Sequence, residues 1–184
     1  MELYLIRHPR PDVAPGICYG HTDLGLAESA DAVAARLRPL LPAEFALFAS
    51  PLMRARLLAE ALGTPRLDPR LREIHFGEWE GRSYADIGQA ALDAWADAPL
   101  DFAPPGGESP RRMAARAHAF LAELRAAPPA PAVVVVAHGG PLRALAGELL
   151  GLPAERWLGL DFACGEVSRL DLHDWGTLLR WFNR

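Results

Sequence analysis

The chain has 184 residues, 51% hydrophobic and 23% charged, with a formal net charge of -4, which is the size and mix of one packed domain spanning residues 1–184. Every one of the 19 Lys+Arg residues is arginine, so lysine Schiff bases, pyridoxal phosphate attachment and the lysine grips of Walker A loops and protein kinases are excluded. The acidic balance and the lack of a basic run argue against nucleic-acid and anionic-membrane partners. No apolar run reaches the roughly 20 residues of a membrane span, and two cysteines make no disulfide framework, which fits a cytoplasmic location.

In chain order, Leu3 to Ile6 reads as a short buried strand ending in Arg7-His8. The Pro- and Gly-rich stretch from Pro9 to Gly25 is a long loop, and loops of that length in compact domains tend to be functional. Ala27 to Leu40 has the apolar spacing of an amphipathic helix, Phe45 to Ala49 is a second strand, and Leu52 to Leu62 a second helix. A third strand is expected within Arg66 to Leu71, followed by a helix over Tyr84 to Ala96. Ser109-Pro110 is an N-cap followed by proline at the first helical position. The segment over residues 84–127 reads as a helical cover. Ala132 to Ala137 holds four consecutive valines, as in a central strand buried on both faces, and a helix over Pro141 to Leu150 follows His138-Gly139-Gly140. Phe162 to Leu172 and Thr177 to Phe182 read as a terminal hairpin. Strands alternating with helices imply an α/β fold with a mainly parallel sheet.

Two histidines occupy the same topological position. His8 follows the first strand and His138 the valine strand, and open α/β sheets bind ligands outside the carboxyl ends of their strands. Arg54 begins a helix after the second strand at the same edge. Glu73, Glu78 and Glu80 follow in Leu71 to Gly81; they read either as solvated charge or as the source of one carboxyl that delivers a proton.

With those residues in place the chain resembles the histidine phosphatase superfamily, the phosphoglycerate mutase-like proteins. The resemblance rests on Leu5-Ile6-Arg7-His8, Ser50-Pro51-Leu52-Met53-Arg54-Ala55, Leu71-Arg72-Glu73 with Phe76 to Gly81, Pro105 to Ser109, and Val136 to Gly140, in the family's order. Pro15 to Asp23 is most similar to the α-ribazole phosphatase branch. The resemblance implies a three-layer α/β/α sandwich with a mainly parallel mixed sheet. It also implies a metal-independent phosphomonoesterase without cofactor, acting on a small phosphorylated metabolite such as α-ribazole 5′-phosphate. A broad-specificity phosphatase and a mutase-type phosphotransferase are the alternatives, with an inactive phosphate-binding regulator as a further one. His8 would be the nucleophile, a role that suits a side chain largely unprotonated near neutrality. Arg7, Arg54 and His138 would bind the phosphoryl oxygens, and Glu73 would be the general acid and base. Tyr19, Gly20, Thr22, Glu108, Ser109 and Gly139 are the expected additional substrate contacts.

Two departures from the family pattern are Pro9, which offers no backbone N–H beside the nucleophile, and Leu58, where threonine is usual. The 64 residues between Glu73 and His138, and a chain ending directly after the last strand, favour hydrolysis over mutase transfer. A cysteine-phosphatase loop is ruled out by spacing: after Cys18 and five intervening residues stands Leu24, not arginine, and Arg169 falls one residue too close to Cys164. No histidine pair has metal-ligand spacing. The five tryptophans are expected in the core or at its edge. Oligomeric state is left open, a homodimer included.

Overall fold

In the computed structural model, which describes residues 1–184, six strands form one sheet: β1 (Glu2–Arg7), β2 (Ala46–Ala49), β3 (Arg66–Leu67), β4 (Ala132–Ala137), β5 (Val167–His173) and β6 (Gly176–Trp181). Their order is β3-β2-β4-β1-β5-β6. The pairs β1–β4, β2–β4 and β2–β3 are parallel, whereas β5 and β6 extend the sheet antiparallel. The two histidine-bearing strands are therefore nearest neighbours, although over a hundred residues of chain separate them.

The alternation of side chains along a strand divides the core into two layers. Leu3 and Leu5 of β1, with Val133 and Val135 of β4, face α5 (Pro110–Ala126) and α6 (Gly139–Leu149). Tyr4, Ile6, Val134 and Val136 face α1 (Ala30–Leu37) and α2 (Met53–Leu62). All six residues of β4 are buried, which is why it reads as a continuous apolar run. Helices on both faces of a mixed sheet make a three-layer α/β/α sandwich. No helix is long and apolar enough to cross a membrane.

Capping residues place the helix starts. Ser29 accepts from the Ala32 amide at 3.3 Å, and Ser109 from the Arg112 amide at 3.3 Å with Pro110 in the first turn. Elsewhere the elements differ from the sequence reading. The expected helix from Tyr84 to Ala96 is two, α3 (Tyr84–Ile87) and α4 (Gln89–Asp97), because Gly88 sits at φ 91, outside the right-handed helical region. The third strand is only two residues long, since Asp68 accepts from the Arg70 amide and turns the chain at Pro69. The fifth strand begins at Val167 and not at Phe162. Gly165 at φ 71 turns the preceding segment, and Phe162 is instead a core residue, 1% exposed. Trp79 is buried as expected, but Trp175 at the tip of the β5–β6 hairpin is 72% exposed and stacks on His173.

Candidate active site

Strand register explains why the two histidines meet. Arg7 of β1 is paired with Ala137 of β4, so the next residue on each strand is His8 and His138. The His8 amide donates to the Ala137 carbonyl at 3.0 Å, and the two rings stand 5.0 Å apart, centroid to centroid. Both are essentially fully buried. β2 adds its own next residue: the Ser50 amide donates to the Val136 carbonyl at 3.0 Å, which puts the Ser50 hydroxyl 2.8 Å from His138 Nε2.

These contacts assign the ring nitrogens. His8 Nδ1 lies 2.6 Å from the Pro9 carbonyl, an acceptor only, so Nδ1 carries the hydrogen. Nε2 then holds the free lone pair and makes no hydrogen bond within the protein. Proline costs this site its backbone donor yet supplies the carbonyl that fixes the tautomer. Burial, then the positive charge of Arg54 and Arg7, hold the His8 pKa down at about 3 against an ordinary 6.5. His138 is pushed well below its ordinary value by burial, His8, Arg54 and Arg7. When the Ser50 hydroxyl donates to Nε2, Nδ1 of His138 is left as a donor.

The two arginines are braced by backbone. Arg7 donates from Nη1 to the Phe162 carbonyl at 2.6 Å. Arg54, 0% exposed, donates from Nη1 to the Thr22 carbonyl at 2.9 Å and from Nη2 to the Gly20 carbonyl at 2.6 Å. Arg7 is thus tethered through one outer nitrogen and Arg54 through both, and the Nε of each is buried without a partner. His138 Nδ1 is buried and unpartnered as well. Unpaired buried donors are costly and scarce in folded proteins. Three of the five here belong to Arg7, Arg54 and His138, the residues gathered around the His8 ring. The amino end of α6 begins directly after His138 and adds partial positive charge.

Glu73 joins the site through α6. Its carboxylate accepts from the Gly140 amide at 3.1 and 3.2 Å and from the Ile74 amide at 3.0 Å. The close approach requires glycine, since a methyl group at Gly140 would meet Glu73 Oε1 at 2.3 Å. Gly140→Ala is therefore expected to displace the carboxylate and lower turnover at this site by about 10²-fold, the scale set by an ångström of misplacement. Steady-state kinetics alongside a thermal melt checks it: an unchanged kcat would show that the carboxylate position does not matter.

The remaining expected contacts fall into two groups. Tyr19 and Gly139 lie at the cradle formed by Arg7, His8, Arg54 and His138: the Tyr19 ring centroid is 5.3 Å from Arg54 Cζ, and a Cβ added at Gly139 would stand 3.6 Å from Arg7 Cζ. Gly20, Thr22, Glu108 and Ser109 are engaged within the protein. Gly20 turns its carbonyl to Arg54, and a side chain there would meet the Ile74 carbonyl at 1.9 Å. The Thr22 hydroxyl donates to Glu80, whose carboxylate also accepts from the amides of His21 at 2.8 Å and Phe76 at 3.1 Å. Glu80 is thus the anchor of the loop that holds Arg54. Glu108 accepts from Arg116 Nη2 at 2.5 Å and from the His75 amide at 3.1 Å, and Ser109 caps α5. Glu78 is exposed.

Sequence reasoning passed over Ser50 and Arg116. Ser50 had a signal, being the first residue after a parallel strand just as His8 and His138 are. Arg116 had none: it lies mid-helix in α5, donating to the carbonyls of Arg70, Arg72 and Glu73 at 2.8, 2.6 and 2.8 Å. It clamps the segment that delivers Glu73.

Known proteins resemble this chain along most of its length. The chain is 36% identical over 183 residues to the glucosyl-3-phosphoglycerate phosphatase of Mycobacterium tuberculosis, covering 86% of this chain and 79% of that one. It is 30% identical over 194 residues to the adenosylcobalamin/alpha-ribazole phosphatase of Escherichia coli, covering 100% of this chain and 96% of that one. The crystal structure of the alpha-ribazole phosphatase from Shigella flexneri superposes with a TM-score of 0.91 at 29% identity, covering 100% of this chain and 96% of that one. Residues 3–184 match the histidine phosphatase superfamily (branch 1), and the chain belongs to that family.

Proposed function

We propose that the chain is a metal-independent phosphomonoesterase acting through a phosphohistidine at His8. The observation that carries this reading is the set of three buried, unpartnered donors, Arg7 Nε, Arg54 Nε and His138 Nδ1, around a histidine kept neutral by burial. In the first step the His8 Nε2 lone pair attacks phosphorus, the bond to the leaving oxygen breaks, and Glu73 delivers its proton to that oxygen. In the second, water attacks the phosphoryl group, Glu73 takes a proton from it, and the P–N bond breaks to release phosphate and neutral His8. Phosphoryl transfer of this kind depends mostly on positioning and charge stabilisation, which the tethered guanidiniums supply.

We assign a small phosphorylated metabolite as substrate and the cytoplasm as location. α-Ribazole 5′-phosphate is the leading candidate, supported by the E. coli relative, whose alignment takes in 100% of this chain. Glucosyl-3-phosphoglycerate is the second, supported by the higher identity of 36% to the mycobacterial relative. The test is phosphate release from both compounds and from 3-phosphoglycerate with a chelator present, ranked by kcat/KM. Chelator-resistant turnover with one compound well ahead is expected. Activity lost to the chelator would refute the metal-independent mechanism, and a flat ranking would refute a dedicated metabolite substrate.

A further inference from the structure

Glu73 and Gly140 line a cavity of about 460 Å³ that lies beside the cradle and includes none of Arg7, His8, Arg54 and His138 in its walls. Its walls are mainly apolar side chains, Ile74, Phe76, Trp95, Met113 and Trp157 among them. They come from four parts of the fold: the segment after Glu73, α4, the start of α5 and the turn after α6. α4 is held there by aromatic edges, with Trp95 6.3 Å from Phe76 and 6.2 Å from Trp79 between ring centroids. The carboxyl that would protonate the leaving oxygen thus lines an aromatic chamber. A group carried by that oxygen would have this chamber beside it.

We propose that this chamber selects phosphomonoesters whose leaving group carries an apolar, ring-bearing body. The inference rests on the phosphatase reading and deepens it by naming the substrate class. The volume lies within the range of cavities that enclose whole ligands, so a glycerol-sized group leaves most of it empty. A ring offset or edge-on to Trp95, Phe76 and Trp157 gains both apolar burial and aromatic contact. A polyol or carboxylate finds few partners for its hydroxyls or charge. Arg143, the one cation in the lining, already donates from Nε to the Leu160 carbonyl at 3.0 Å and pairs with Asp161 at 3.5 Å. Leaving those polar groups unpaired costs about tenfold or more in affinity for each.

The test compares primary alkyl phosphates, whose leaving oxygens are chemically alike: ethyl phosphate, 3-phenylpropyl phosphate, glycerol 3-phosphate and 3-phosphoglycerate. The expected kcat/KM for the phenylpropyl ester exceeds that for ethyl by about 50-fold or more, carried mainly by KM, with the two polar esters at or below ethyl. Trp95→Ala is expected to lower the phenylpropyl-to-ethyl ratio about tenfold. Ala96→Trp, on the exposed side of α4 and also lining the chamber, should lower the same ratio by filling it, with melting curves confirming folding. Hydrolysis of all four esters with a ratio near one, or with 3-phosphoglycerate preferred, would overturn this inference alone. No hydrolysis of any ester would overturn the phosphatase reading and the inference together.

Discussion

Replacing His8 by alanine is expected to reduce turnover by about 10⁵-fold or more, the scale of losing a covalent nucleophile whose partners act as a unit with it. Inorganic phosphate should still bind within about tenfold, because Arg7 and Arg54 keep their backbone tethers, and His138 its Ser50 contact, without the imidazole. Kinetics paired with calorimetric titration of phosphate separates the two effects. Loss of both in a folded variant would mean that His8 holds the cradle together and is not a nucleophile.

The same substitution carries a pH signature. In the unfolded chain the imidazole titrates near its ordinary 6.5, whereas burial and the two arginines hold it at about 3 in the fold. Below 6.5 the unfolded chain therefore binds a proton that the native state refuses, and stability falls as pH drops toward 3. His8→Ala removes that contribution, so its stability should decline less steeply with acid than that of the wild type. Denaturant midpoints taken at several pH values check this, and parallel curves would contradict a buried neutral ring.

Glu73→Gln should lower kcat on alkyl phosphates by about 10²- to 10⁴-fold, the usual contribution of a general acid. The loss should be much smaller in the first step with 4-nitrophenyl phosphate, whose leaving group needs no proton. Glutamine keeps the acceptor for the Gly140 amide, so the fold and the position are retained. It cannot take a proton from water. The second step then becomes limiting, and phosphoenzyme accumulates. A variant equally slow in both steps with every leaving group would argue against Glu73 as the acid.

The sheet, the paired histidines and the arginines were legible in the sequence because each depends on a short local signal. The four valines of β4 and the strand-end positions of His8 and His138 are visible without any knowledge of contacts. Ser50 belongs to the same pattern but went without a role, since a serine after a strand has many uses until His138 Nε2 is seen 2.8 Å away. Arg116 was illegible: its surroundings are ordinary surface-helix sequence, and its role exists only through carbonyls more than 40 residues distant. Thr22, Glu108 and Ser109 are expected at the substrate from the family resemblance alone, although the capping role of Ser109 is also legible in the sequence. Their polar atoms were already committed, to Glu80, Arg116 and the amino end of α5. The break at Gly88 escaped because apolar spacing continues across it, while one positive φ interrupts the helix.

The proposed mechanism passes the phosphoryl group to His8 before water receives it. It is tested most directly by mixing the Glu73→Gln protein with 4-nitrophenyl phosphate, quenching in alkaline denaturant and mapping the phosphoryl group by peptide mass spectrometry. The account predicts one phosphoryl group on the His8 ring, present during turnover and absent from His8→Ala. A phosphoryl group on Ser50, or an enzyme that turns over with His8 never modified, would contradict it.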